Sequence, residues 1–206
     1  MKHAKEHNHL DFININPIET GYLLIPMPDE KYKALNEIYD RVCGVIYLAS
    51  KIGEDSDRAC INSKALTETS LRASLSEFWA VGDCLEMLYP DSGSSLWFNE
   101  HVDSDPILHM LKLLRNYNVH VEKSELSSKP LRVQTLFDDK TYTIRVHYIS
   151  NLSEEGFLRV NAAARYRSNL AKMIEVFNYQ QHSFGIGCLI MHSVLSNMRK
   201  LDRLLI

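Results

Sequence analysis

One short stretch of the chain carries residue types that do chemistry, at a spacing a helix can use. It reads Leu114-Arg115-Asn116-Tyr117-Asn118-Val119-His120. A guanidinium presents a planar fork of donors that suits a phosphate. An imidazole takes up and releases a proton near neutral pH, so it can act as acid or base. Asn116 and His120 are four residues apart and therefore adjacent on a helix, on the side that also holds His109. Arg115 lies about 140° round the axis from His120, a gap its long side chain can span. Ile107, Leu111, Leu114, Asn118 and Val121 fall on the other side, the expected core face. A lone polar Asn118 there needs a partner, and a bond to a neighbouring helix is expected. Other chemistries lack their signatures. Gly185 and Gly187 precede a helix without the third glycine or Lys-Ser/Thr of a phosphate loop. No His-Glu-x-x-His, zinc-finger spacing, nucleophile elbow or paired Glu-x-x-His is present. No metal or cofactor is expected.

The elements that position this stretch are mostly helices. The first begins at Asp29-Glu30, with acids at the positive end of the dipole. Leu35, Ile38, Tyr39, Val42, Val45, Ile46 and Ala49 then recur at helical spacing up to Gly53. The second spans about 63–88, with Leu71, Leu75, Phe78, Trp79, Cys84, Leu85 and Leu88 inward; Tyr89 to Gly93 ends it. The third, which carries the motif, has Asp105 as cap and Pro106 in first position, and runs to about Glu122 or Lys123. Pro130 forbids its continuation. Residues 131–137 and 141–149 read as a β-hairpin, since Thr141, Thr143, Arg145 and His147 alternate with Tyr142, Ile144, Val146 and Tyr148. Ser153 caps a fourth helix running to about Tyr179, and a fifth spans about 185–205. The fold class is mainly α: an antiparallel bundle of about five helices with one inserted β-hairpin at about 131–149. Residues 1–28 form a tail and irregular lead-in with Pro17, Pro26 and Pro28; residues 29–206 form one domain. His3, His7 and His9 belong to an exposed tail. Tyr47, Trp79, Trp97 and Phe177 are expected in the core.

An arginine, a polar residue directly after it and a histidine four residues further on, inside a capped helix of a helical bundle, resembles the signature of the HEPN superfamily. The resemblance covers the motif sharply and the bundle loosely; the hairpin is not part of that pattern. It implies a metal-independent endoribonuclease, of the kind found in toxin–antitoxin, defence or RNA-processing systems. It further implies a homodimer that joins two motif helices into one cleft, under an antitoxin or other regulatory protein. Arg115 would clamp the phosphate, His120 would act as acid or base, and Asn116 would be a positioning donor. The products would be a 2′,3′-cyclic phosphate and a 5′-hydroxyl. Two basic groups are candidates for RNA contact. Arg132, Gln134, Arg145 and His147 share one hairpin face. Arg159, Arg165, Arg167 and Lys172 lie on the fourth helix with Tyr166 among them, and basic residues interleaved with aromatics suit single-stranded RNA. Glu77 and Asp83 on the second helix are candidate supports. A different class stays open: a non-enzymatic helical-bundle adaptor or accessory protein using helix three as a dimer or partner-docking face.

Composition bounds these readings. The 206 residues carry net charge −3, which argues against a protein that coats nucleic acid electrostatically. The charge is uneven: residues 1–128 hold 12 basic and 20 acidic residues (−8), residues 129–206 hold 11 and 6 (+5). Cys43, Cys60, Cys84 and Cys188 form no Cys-x-x-Cys pair and read as buried reduced thiols. The start is full of His, Lys and Glu, so no secretory signal is read there. No apolar run approaches the ~18 residues of a span. A cytoplasmic protein with no membrane association is expected.

Overall fold

Asp105 starts the helix that carries the motif: its carboxylate accepts from the backbone N–H of Ile107 (2.9 Å) and Leu108 (3.2 Å), with Pro106 in first position. In the computed structural model, which describes residues 9–15, 17–56, 61–87, 104–135, 137–138 and 140–204, the chain is mainly helical with one two-stranded antiparallel sheet. The helices are α1 (Glu37–Ser50), α2 (Ser63–Met87), α3 (Pro106–His120), α4 (Glu154–Leu158), α5 (Leu170–Phe184) and α6 (Ile186–Arg199); the strands are β1 (Leu126–Gln134) and β2 (Thr141–Ile149). Tight 3-10 turns occupy Glu30–Leu35, Asn161–Tyr166 and Lys200–Leu204. No helix among the described residues is long and apolar enough to cross a membrane.

Several boundaries differ from the sequence reading, each for a local reason. The first helix is broken at Asn36, whose φ of 31° lies in the left-handed region, so a 3-10 turn capped by Asp29 precedes α1. Helix α3 stops at His120 rather than at Glu122. Asn118 does not bond another helix: its Nδ2 donates to the Leu114 carbonyl (2.8 Å) and Ser124 Oγ (2.9 Å), and its Oδ1 accepts from Ser124 N–H (2.8 Å). That side chain folds the exit turn back onto the helix. Strand β1 begins at Leu126 and includes Pro130, opposite Arg145; proline is tolerated because in a two-stranded sheet every strand is an edge. The expected fourth helix is three pieces. Ser153 caps only α4, accepting from Gly156 N–H, and Val160 turns extended before the chain resumes as a 3-10 turn and then α5. Leu88, the 89–93 break, Trp97, Cys60, His3 and His7 lie outside the described residues; His9 is exposed.

The core centres on α6, which packs against α1, α2, α3, α5 and β2. Its residues Ile186, Leu189, Ile190, Val194 and Met198 are buried, facing Val42, Val45, Ile46 and Ala49 of α1 and Leu170, Met173 and Phe177 of α5 among the same core cluster. Each aliphatic side chain so buried contributes about 1.5–3 kcal/mol. Of the aromatics expected inside, Phe177 is buried and Trp79 half-buried, while Tyr47 is 58% exposed with Lys51 Nζ over its ring. Burial raises the thiol pKa of Cys43, Cys84 and Cys188, the last to about 11. Polar side chains tie the periphery to this centre. Gln181 brackets Ile149, accepting from its N–H (2.9 Å) and donating to its carbonyl (3.0 Å). Gln180 accepts from Ile18 N–H (3.0 Å), holding the irregular N-terminal segment.

Two glycines at the α5–α6 junction allow the closest backbone approaches. Gly185 has φ +89° and sits so near β2 that a Cβ would lie 3.0 Å from the His147 carbonyl; at Gly187 a Cβ would lie 2.7 Å from the Ala49 carbonyl of α1. Gly82 in α2 has open space around it. We therefore expect Gly187→Ala to lower unfolding free energy by about 1–3 kcal/mol, as overpacking does. Gly82→Ala should raise it by about 0.5–1 kcal/mol. Urea denaturation of the two variants checks the contrast.

Candidate active site

The motif helix has two unlike halves. Pro106 to Leu111 are all buried, so the first turns of α3 run inside the core. Only from Lys112 does a face open: Lys112, Arg115 and Asn116 are half-buried, Val119 is 53% exposed, and His120 is exposed. These positions recur at three- and four-residue steps and form one strip. His109, expected on this outer side, is 1% exposed instead. Its Nδ1 lies 2.7 Å from the Tyr166 hydroxyl, a bond that pairs these two polar groups inside the core.

Two of the three motif residues touch. Arg115 Nη1 donates to Asn116 Oδ1 at 3.1 Å. Asn116 accepts from the guanidinium through its side-chain oxygen, a bond that does not engage its Nδ2 donors. Arg115 Nε is buried with no hydrogen-bond partner among the described residues. His120 stands at the end of the strip on a clamped turn. Tyr117 OH donates to Glu122 (3.3 Å), Arg159 Nη1 reaches the same carboxylate (3.2 Å), and Lys123 pairs with Glu68 of α2 (3.3 Å). The strip therefore ends on a held backbone.

Neighbours beside the strip were not legible in the sequence. Lys112, three residues before Arg115, holds its Nζ 3.9 Å from the centroid of the Trp79 ring on α2. Burial lowers the Lys112 pKa, the charges of Arg165 and Arg115 lower it further, and Glu86 and Asp83 act the other way. Arg165 acts on it from the 3-10 turn Asn161–Tyr166, whose Tyr166 is anchored on His109. The helical spacing of Lys112 was visible in the sequence, but its contact with Trp79 was not, because that residue comes from a distant element.

The other candidates are placed as follows. The basic group around Arg165 is dispersed, because its residues lie on separate elements. Arg159 binds Glu122, Arg165 is exposed and acts electrostatically on Lys112, Arg167 is exposed just beyond, and Lys172 Nζ sits 4.5 Å from the Phe12 ring. On the hairpin the register does put Arg132, Gln134, Arg145 and His147 on one face, opposite Thr143, Thr141, Pro130 and Ser128. Arg132 and Arg145 are exposed, and Arg145 donates to Ser128 Oγ (3.1 Å). His147 is half-buried with its ring against Gly53. Strand β2 packs on α5 and α6, whereas Arg165 lies on the 3-10 turn that packs on α4. Glu77 faces α1, accepting from Arg41 Nη1 (2.9 Å). Asp83 is near enough to Lys112 to stabilise its charge.

A cavity of about 520 Å³ lies at the opposite end of α3, lined by Asp105, Ile107, Gln180, His192, Asn197 and Lys200 among others. His120 does not line it; at about 1.5 Å per residue the far end of α3 is roughly 20 Å away. No family model, curated protein or solved structure matches the chain.

The hairpin contact has its own pH dependence. Burial lowers the pKa of His147, helped by Arg145, and that of His182, helped by Lys129; His182 lies against Tyr148 of β2. A histidine with a lowered folded pKa leaves the unfolded chain holding more protons below about 6.5. Stability is then full above that value and falls as pH drops through it. Urea unfolding at pH 7.5 and 5.5 should show the loss, and His147→Gln with His182→Gln should shrink it.

Proposed function

We propose that this chain is a HEPN-like, metal-independent endoribonuclease of the cytoplasm, with its helices arranged as an antiparallel bundle and working as a homodimer. It fits a toxin–antitoxin or defence role, restrained by a regulatory partner protein. The observation that carries the reading is the Arg115–Asn116 contact on a half-buried strip of α3 that ends in exposed His120. A phosphate clamp and a proton-transfer group are thereby carried by one rigid element and open to a large substrate.

In the reaction His120 of one protomer takes the proton from a ribose 2′-hydroxyl, and the 2′-oxygen attacks the adjacent phosphorus. The P–O5′ bond breaks, and the second His120 gives a proton to the departing 5′-oxygen. Arg115 stabilises the charge that builds on the non-bridging oxygens. Asn116, by accepting from Nη1, fixes the plane of that guanidinium. Arg132, Arg145, His147, Arg165 and Arg167 are proposed as RNA contacts away from the reacting atoms.

The test is incubation of the purified protein with end-labelled RNA in EDTA. Wild type should cut and leave 2′,3′-cyclic phosphate ends. His120→Ala should slow cleavage by about 10²–10⁴-fold, the usual share of a general acid–base group. Arg115→Ala should fall comparably at unchanged circular dichroism. RNA left intact by wild type, or cut equally by both variants, overturns the nuclease and favours the adaptor reading, in which exposed Val119 marks α3 as a docking face.

A further inference from the structure

We infer that the cavity at the Asp105 end of α3 is a binding site for a small neutral molecule that joins an amide group to a planar ring, with Asn197 of α6 recognising the amide. The site lies at the other end of α3 from His120 and stands independently of the nuclease reading.

Helix α6 is the centre of the core, yet it carries two buried polar side chains, Ser193 and Asn197, one turn apart on a side that lines the cavity. Asn197 is 7% exposed, and its Oδ1 is buried with no hydrogen-bond partner among the described residues. A buried acceptor left unpaired works against folding. Kept beside a cavity, it has a use when a donor arrives from outside. Polar groups around it are already engaged. Gln180 accepts from Ile18 N–H (3.0 Å), His192 Nε2 donates to the Thr20 carbonyl (2.8 Å), and the Asp105 carboxylate caps α3. Those bonds hold the walls and leave Asn197 to meet the occupant.

The lining sets the rest of the ligand's chemistry. At about 520 Å³ the cavity falls within the ~300–1,000 Å³ of small-molecule sites and far exceeds the roughly 30 Å³ share of one water. Asp11 and Asp105 are matched by Arg199 and Lys200 among the described lining residues, so neither sign dominates and a neutral ligand is favoured. Ile18, Ile107 and Leu189 supply apolar wall. The Tyr22 and His192 rings, stacked with centroids 4.6 Å apart, supply a flat one on which a planar ring can pack. A carboxamide offers an acceptor and two donors. An incoming amide can therefore donate N–H to Asn197 Oδ1 while its own carbonyl accepts from Nδ2, a pairing that neither a carboxylate nor an ester completes.

The experiment titrates the full chain, labelled at its isoleucine methyl groups, with benzamide and reads the methyl resonances by NMR. Benzamide should bind saturably in the millimolar range, shifting Ile18 and Ile107 while Ile144 of the hairpin stays in place. Acetophenone has the same ring and carbonyl with a methyl in place of the amino group, and should bind about tenfold more weakly for want of the buried hydrogen bond. That contrast is read on the wild-type chain and needs no variant. Asn197→Leu, of similar volume, should remove the difference between the two probes and raise the thermal midpoint of the free protein, because the unpaired acceptor is gone. A lowered midpoint marks Asn197 as a structural residue and overturns the site. So does the absence of a saturable shift at Ile18 and Ile107, or equal binding of the two probes, whatever the protein does to RNA.

Discussion

Close backbone packing at the α5–α6 junction fixes where the remaining elements can sit. Over eight residues, from Gln180 to Gly187, the chain grips three other parts of the molecule. Gln180 holds the N-terminal segment through Ile18, and Gln181 binds both backbone groups of Ile149 at the end of β2. Gly185 lies against the β2 backbone, and Gly187 lies against the Ala49 carbonyl of α1. Side-chain amides that replace a backbone partner are costly to lose, since a buried group left unpaired costs about 1–3 kcal/mol. The hairpin is therefore joined to the helical core by hydrogen bonds as well as by apolar contact. With α6 enclosed, α3 is left to pack with one end inside and the other at the surface.

That division of α3 explains how it presents its chemical groups. A helix amphipathic along its whole length would expose a stripe from end to end, but α3 buries every residue from Pro106 to Leu111. Burial there includes His109, and the Tyr166 hydroxyl makes it tolerable. The same bond fastens the 3-10 turn Asn161–Tyr166 to the buried half of α3. Farther along, Arg115 keeps Nε buried and unbonded among the described residues while Nη1 binds Asn116. An orphaned buried donor works against stability, and such departures from local consistency are expected where a site needs a group held in one orientation.

The sequence disclosed features set by local chemistry. Asp105-Pro106 marked a helix start because a carboxylate can accept from the first free N–H groups while proline needs none. The alternation from Thr141 to Tyr148 marked β2 because successive side chains of a strand face opposite ways. Features set by distant partners stayed hidden. Position 109 pointed outward on a helical wheel, yet a tyrosine 57 residues away draws it in. Tyr47 looked like core and is exposed, since neighbouring elements cover the other side of α1. Asn36 breaks the first helix by adopting a left-handed conformation, which asparagine tolerates but does not announce. The motif residues were legible as a spacing, whereas the Arg115–Asn116 bond and the Lys112–Trp79 contact required the folded chain.

The shape around His120 bears on how such a site can work. The described cavity at the Asp105 end of α3 is remote from it, and the strip from Lys112 to His120 is an outward-facing surface of one protomer. Charge stabilisation is strongest where water is excluded and the donors are fixed beforehand. One half of that requirement is met within the chain, because Asn116 fixes the arginine and the clamped turn fixes the histidine's backbone. The other half, exclusion of water, needs a second surface laid over the strip. A second copy supplies it on the proposed reading, since a twofold axis would bring the same strip to face itself and double each group. On the proposed reading, the half-open character of α3 then makes assembly the step that completes the site, and a partner occupying the strip would block dimer formation and substrate access together.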